Sequence, residues 1–355
     1  MLLCPVSAGM KWVLYQKANW GNSRQDRFPN RDFLCSESDR MAFYLVTGGA
    51  GFIGSSIVRE LVRRNESVRV VDNFCEGKKE NLAGLLDKIE FIEGDIRDEA
   101  VMRRATQGVD YVLHQAALRS VPKSFENPVE TTDVNVTGTL KVLLASVEQK
   151  VKRVVFASSS SVYGDTDHFP ESEDLPSNPV SPYATSKLAG EYYCKLFTNG
   201  YGLETVSLRY FNVFGPRQDP ASEYAAVIPK FILKVLHDES PLIDGDGLQS
   251  RDFTYIDNVV EANLRAAVAT GVSGEVFNIA CGEGHSVLEI LETVNRVLNK
   301  KIPPTFGPPR RGDVRRTLAD ISKSNRLLHC NAGVHFEEGL GRTVEWFRSL
   351  TRESA

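Results

Sequence analysis

Tyr183 and Lys187, four residues apart in Tyr183-Ala184-Thr185-Ser186-Lys187, are the residues best suited to proton chemistry. On a helix that spacing sets both side chains on one face. A free phenol titrates at about pH 10 and is a poor base at neutral pH. A neighbouring ammonium, a positively charged ring on a bound cofactor or the start of a helix would each favour its phenolate. Ser181-Pro182 reads as an N-cap followed by proline at the first helical position, which puts Tyr183 in the first turn. The spacing alone is a weak signal, because tyrosine and lysine are common on helix faces. The run Ser158-Ser159-Ser160-Ser161-Val162-Tyr163-Gly164 adds hydroxyl groups at the end of a strand-like segment. In an open parallel sheet, ligands bind at that carboxyl edge.

Upstream, Thr47-Gly48-Gly49-Ala50-Gly51-Phe52-Ile53-Gly54 sets Gly48, Gly51 and Gly54 three residues apart as the chain leaves a strand and opens a helix. Backbone can approach a pyrophosphate there, at the positive end of a helix. The next strand-like run ends in Asp72, 18 residues after Gly54, close to the spacing of about 20 expected of an acid that holds a ribose. Together they read as a dinucleotide site. Asp72 would repel a 2′-phosphate and so favours NAD over NADP, with Lys78 and Lys79 pulling the other way. Asp95 closes the third strand and caps either the adenine or the turn that follows.

These groups need a rigid frame. Short β-branched runs at Phe43–Thr47, Val68–Asp72, Ile89–Glu93, Tyr111–His114, Val154–Ala157 and Val206–Tyr210 alternate with amphipathic segments at Ile53–Arg64, Val134–Gln149 and Tyr183–Phe197. Near-continuous apolar strands separated by helices indicate a parallel sheet covered on both faces. The expected class is α/β: a Rossmann-type, doubly wound parallel sheet with a smaller mixed α/β substrate-binding domain. Residues 41–214 are expected to form the dinucleotide-binding domain, with Val276–Ala280 returning to its sheet, and 215–348 the second domain. There, Pro- and Gly-rich stretches separate helices around 226–237 and 286–299. Residues 1–40 lack a sustained period and read as an extension outside the fold, with Met41 a candidate start.

The chain has 355 residues, 42% hydrophobic and 25% charged, with a formal charge of -4. That composition excludes collagen, coiled coil and global disorder. No overall positive field would draw it to nucleic acid or an anionic membrane. Its six cysteines are scattered without a Cys-x-x-Cys pair or a clustered ligand set, so no metal site is expected. No apolar run reaches a membrane span, and the expected location is the cytoplasm.

Over roughly residues 42–345 the chain resembles the extended short-chain dehydrogenase/reductase family. Within it the likeness is to the NAD-dependent nucleotide-sugar epimerase/dehydratase branch and most to bacterial UDP-N-acetylglucosamine 4-epimerases. The likeness rests on TGGAGFIGS at 47–55, DN at 72–73, HQAA at 114–117, VNVTGT at 134–139, SSSSVYG at 158–164, SPYATSK at 181–187, LRYFNVFGPRQDP at 208–220, SRDFTYIDNV at 250–259 and RRGDVRRTLAD at 310–320. It implies a catalytic set of Ser159, Tyr183 and Lys187, with Ser160 the alternative serine. It implies NAD contacts from Gly48, Gly51, Phe52, Ile53, Gly54, Asp72, Asn73, Asp95, Ile96, Ala116, Ala117, Arg119, Asn135, Tyr183, Lys187 and Tyr210. Arg119 is a departure, standing where galactose epimerases have lysine and N-acetylhexosamine epimerases a small residue.

For a UDP-sugar, the resemblance implies Ser120 and Ser159 near the sugar, Asn212 on the diphosphate and Arg251 and Arg310 on phosphates. It puts Asp313 on the uridine ribose and Tyr224, Ala225, Val227 and Ile228 around the uracil. Arginine forks suit a diphosphate, although Arg251-Asp252 and Arg310/Asp313 also read as surface ion pairs. Thr317 corresponds to a position bordering the sugar's C2 substituent, where a small residue admits an N-acetyl group; it also reads as a plain solvated loop residue. The implied reaction is 4-epimerisation through a transient 4-keto sugar. A 4,6-dehydratase would carry an Asp-Glu pair after the catalytic hydroxyl residue, where this chain has Ser160-Ser161. A UDP-glucuronate decarboxylase would have Glu at Ser161. A catalytically silent NAD-binding sensor is the reading from another class. The family also pairs two helices, near 130–149 and 182–199, into the four-helix bundle of a homodimer.

Overall fold

The computed structural model of the protein describes residues 41–220, 227–309 and 314–353. Strand β1 (Phe43–Thr47) is followed by helix α1 (Phe52–Arg63), β2 (Ser67–Asp72), β3 (Glu90–Glu93), α2 (Glu99–Thr106) and β4 (Tyr111–His114). Two short helices, α3 (Val121–Glu126) and α4 (Pro128–Thr132), lead to α5 (Gly138–Glu148), β5 (Arg153–Ser159), α6 (Pro182–Tyr201) and β6 (Glu204–Tyr210). These strands and Glu275–Ile279 form a seven-stranded sheet in the order Glu275–Ile279, β6, β5, β4, β1, β2, β3. Every pairing in it is parallel. The fold is Rossmann-type α/β, and the expected returning strand is present beside β6.

Successive strand residues face opposite sides of a sheet, and the two cores follow that rule. Val46, Val70, Leu113 and Val155 pack on the side of α1 and the helix Ile256–Val268. Their neighbours Leu45, Val71, Val112 and Val154 pack on the side of α2, α5 and α6. Both faces are covered, which is why the strands carry continuous apolar runs. The chain winds outward in one direction through β2 and β3, then restarts on the other side with β4. The gap between the ends of β1 and β4 is therefore a topological switch point, where a ligand-binding crevice opens.

After β6 come three two-stranded ribbons, the first pairing Val213–Phe214 with Thr254–Tyr255, and the helices Val227–Leu236, Val287–Leu298 and Phe336–Glu353. Val287–Leu298 begins at a reciprocal cap, Ser286 accepting from the Glu289 amide and Glu289 from the Ser286 amide. This part also supplies the sheet with Glu275–Ile279 and the helix Ile256–Val268. From Met41 on, the chain forms one compact unit. Its larger core runs from the sheet into Phe214, Phe231, Phe253 and Phe336. No helix among the described residues is long and apolar enough to cross a membrane.

One expected helix is not continuous. The stretch read as 134–149 contains a π-helical turn, Asp133–Thr137, before α5 begins. Its buried Asn135 donates to the Leu118 carbonyl (2.9 Å) and the Ser186 hydroxyl (3.0 Å) and accepts from the Leu118 amide (2.8 Å). Side-chain bonds of this kind compete with regular helix geometry, and π turns of this kind are frequent at functional sites.

Candidate active site

A cavity of about 980 Å³ opens at the switch point. The turns after β1, β2, β4 and β5, the first turn of α6, and Asn212, Arg251 and Thr317 line it. At its floor Gly48 has φ +68°, in the left-handed region that glycine enters without strain. A Cβ there would lie 2.7 Å from the Ala116 nitrogen, and one on Gly54 would lie 2.1 Å from the Gly48 carbonyl oxygen. No side chain caps the start of α1, and its first turn holds no acidic residue. Its amide groups thus face the cavity edge with positive partial charge. Asp72 is 7% exposed and accepts from the amides of Ala50 (2.9 Å) and Phe74 (2.8 Å). Burial raises its pKa, and those two bonds oppose the rise. A glycine cradle with no room for side chains, an uncapped helix start and a carboxylate at the end of β2 fit a dinucleotide with a free 2′-hydroxyl.

Asn73, Asp95, Ile96, Ala116, Ala117, Arg119 and Tyr210 line this half with Phe52 and Ile53. Arg97 holds Asp95 by bonds of 3.0 and 2.7 Å, Asn73 donates to it at 3.1 Å, and the Arg97 amide bonds it at 2.9 Å. Of the two roles open for Asp95, turn capping is the one filled by protein groups, and Arg97 is the main reason its pKa is lowered. Asn135 departs from the expected cofactor contact. It does not line the cavity, because its amide is spent fixing the Leu118 segment to α6.

Ser159, Tyr183 and Lys187 all line the same cavity. Ser181 caps α6 by accepting from the Ala184 amide at 3.1 Å, and Tyr183 sits in the first turn as the sequence indicates. Beneath them Arg209 and Glu191, both almost wholly buried, pair at 2.8 Å. Glu191 also accepts from Ser158, beside Ser159, which ties the end of β5 to α6. The ammonium of Lys187 donates to the Ala157 carbonyl (2.8 Å) and lies 5.9 Å from the centre of the Tyr183 ring. Its pKa is lowered to about 8 because it is buried.

Burial raises the Tyr183 pKa, and the influences that oppose it are a hydrogen bond with Ser159 and the charge of Arg119. The lysine is directed at a backbone carbonyl and is itself short of charge stabilisation.

In the other half of the cavity, Asn212 donates to the Asp252 carbonyl (3.0 Å) and the Thr317 hydroxyl (3.2 Å). Both of the amide hydrogens it would offer a diphosphate are thus engaged within the protein. The Asp252 amide also bonds the Thr317 hydroxyl at 3.3 Å. Ser120 caps α3 by accepting from the Lys123 amide and does not line the cavity. Ile228 is fully buried in the apolar core and Val227 starts the helix beside it. Neither lines the cavity. Tyr224, Ala225, Arg310 and Asp313 lie outside the described residues.

Among the lining residues without an expected role, Ser161, Glu171 and Gln218 each carry a buried side-chain oxygen without a hydrogen-bond partner. Glu171 follows Phe169-Pro170 in an aperiodic loop and gives no local signal.

A doubly wound sheet with a glycine cradle, a terminal acid on β2 and a Ser/Tyr/Lys set in one cavity defines an NAD-dependent short-chain dehydrogenase/reductase type of protein. The model of the NAD dependent epimerase/dehydratase family matches residues 44–280. The chain belongs to that family, and its cofactor is NAD. A putative UDP-glucose 4-epimerase of Methanocaldococcus jannaschii is 41% identical over 310 residues, 87% of this chain and 99% of the relative. A solved UDP-N-acetylglucosamine 4-epimerase of Methanobrevibacter ruminantium, in complex with UDP-N-acetylmuramic acid, is 41% identical with a TM-score of 0.84, covering 88% of this chain and 99% of that one. A Thermus thermophilus UDP-glucose 4-epimerase in complex with NAD is 38% identical with a TM-score of 0.79, covering 86% and 99%.

Proposed function

We propose that the protein is a UDP-sugar 4-epimerase acting on N-acetylated UDP-hexosamines, UDP-GlcNAc and UDP-GalNAc, or their uronic acids. The observation that carries the reaction type is the meeting of Ser159, Tyr183 and Lys187 with the glycine cradle in one cavity. Tyr183 takes the proton of the sugar 4-hydroxyl and later returns it. Ser159 hydrogen-bonds the 4-oxygen. NAD, which the glycine turn at Gly48–Gly54 and Asp72 would hold, would supply the hydride acceptor and donor at C4. The chain's remaining task is to hold the UDP moiety at a distance from C4, which Arg251 serves with a fork suited to phosphate. No net oxidation occurs, so the protein keeps its NAD through turnover.

Thr317 on the cavity wall supports the N-acetylated substrates, because a small residue leaves room at C2. Against a dehydratase or decarboxylase, Ser160 and Ser161 are hydroxyl residues where those reactions would draw on carboxylates. UDP-glucose and UDP-galactose are the second substrate reading, favoured by relatives that bear those names. Proton NMR of the purified protein with UDP-GalNAc or UDP-galactose and no added cofactor tests both. Conversion of UDP-GalNAc supports the first reading, and conversion of UDP-galactose alone supports the second. Thr317→Tyr is expected to abolish turnover of the N-acetylated sugar while leaving UDP-glucose active. Equal loss of both would remove Thr317 from the argument.

The same reading includes a homodimer. Leu144, Tyr192 and Leu196 are exposed apolar residues on α5 and α6, the two helices a four-helix bundle would pair. Light scattering should return twice the chain mass.

A further inference from the structure

Glu171 is 1% exposed, lines the cavity and has an Oε2 without a hydrogen-bond partner. Its backbone is fixed from three sides. Its amide donates to the Leu318 carbonyl (2.7 Å), and its carbonyl accepts from the Asp320 amide (2.8 Å) and from Asn278 (2.8 Å). It therefore lies against the segment that directly follows Thr317. The charged groups facing it are Asp252 and Arg251. The Asp252 carboxylate is already taken up by the amides of Cys281, Gly282 and Ala319. Burial, reinforced by Asp252 and opposed by Arg251, raises the Glu171 pKa to about 8. Burial therefore favours the protonated carboxyl, which has a proton to donate. A buried polar atom left unpaired costs free energy that a ligand group can recover. The Thr317 hydroxyl already accepts from Asn212 and Asp252 and has only its own hydrogen left to offer, and Glu171, held against the segment that follows it, adds an unpartnered oxygen to the same cavity wall.

We propose that Glu171 determines sugar specificity by contacting the C2 acetamido group, its carboxyl O–H donating to the amide carbonyl. This rests on the N-acetylhexosamine reading above. Calorimetric titration of the NAD-loaded protein with UDP-GlcNAc and with UDP-glucose tests it, alongside KM and kcat for both. Glu171→Leu is expected to weaken UDP-GlcNAc binding about tenfold and UDP-glucose less than about twofold. Glu171→Gln, which keeps an N–H donor, should stay within about threefold of the parent for both. Equal weakening for both sugars, or none for either, would overturn the contact. Should Glu171→Leu fail to fold, the parent protein supplies the same answer. Its preference for UDP-GlcNAc should fall above about pH 8 as the donor proton leaves, and the Gln variant should show no such fall. A pH-independent preference in the parent overturns the proposal. A parent that binds both sugars but epimerises neither defeats the proposed reaction instead, and the Glu171 ratio can still be measured.

Discussion

In the cofactor half of the cavity the polar side chains are already paired within the protein: Asp72 with two backbone amides, Asp95 with Arg97 and Asn73. On the side of Thr317, Glu171 keeps a buried oxygen without a partner. The cofactor half is also built from neighbouring turns of one sheet edge, whereas the sugar half joins the loop at Glu171, the strand at Arg251 and the segment at Thr317. The difference matches what each half must do. A retained cofactor suits a rigid, self-satisfied cradle, while a sugar that binds, turns and leaves suits polar groups that stay available until it arrives.

The largest expected effect separates chemistry from cofactor retention. Tyr183→Phe should lower kcat about 10²–10⁴-fold while the purified protein keeps its NAD, read from the NMR conversion rate and the NAD released on denaturation. Loss of both would mean that Tyr183 belongs to the cradle rather than to the reacting end. Next, Gly54→Ala puts a Cβ against the Gly48 carbonyl, backbone that cannot swing away. It should cost about 1–3 kcal/mol, seen as a lower Tm and a reduced NAD content. Unchanged NAD content would show that the cradle is less rigid than its geometry implies.

The smallest effect belongs to the sugar half. Glu171 has a folded-state pKa of about 8 against an ordinary value of 4.5. The stabilisation from its protonated form is therefore present in full below about pH 4.5 and is lost as pH rises through about 8. Glu171→Gln lacks that titration. Denaturant unfolding at pH 5 and pH 8 should show the variant gaining about 1 kcal/mol or more on the parent across that interval. A constant difference would place the Glu171 carboxylate in a solvated, ordinary environment.

The cofactor half was legible in the sequence because its signals are local. Gly48, Gly51, Gly54 and Asp72 lie within one βα unit, and Ser181, Tyr183 and Lys187 lie within two turns of one helix. The interruption at Asn135 was not legible, since the amphipathic period of 134–149 continues across the π turn while the bonds Asn135 makes there reach Leu118 and Ser186, 17 and 51 residues away. Nor were the other neighbours of the Tyr183 phenol: spacing points to Lys187, and the fold adds a hydrogen bond with Ser159 and the charge of Arg119 while Lys187 donates to the Ala157 carbonyl.

What the sequence by itself determined was the doubly wound sheet, the glycine turn after its first strand and the place of Tyr183 in the first turn of a capped helix. Strand and helix periods, caps and glycine turns act over a few residues, and physical chemistry reads them directly. What only the tertiary structure decided was which cavity side chains are buried without partners. Burial and hydrogen-bond satisfaction depend on segments far apart in the chain. Glu171 is held in place by Asn278, 107 residues away, and no local pattern around Pro170 and Ser172 announces it.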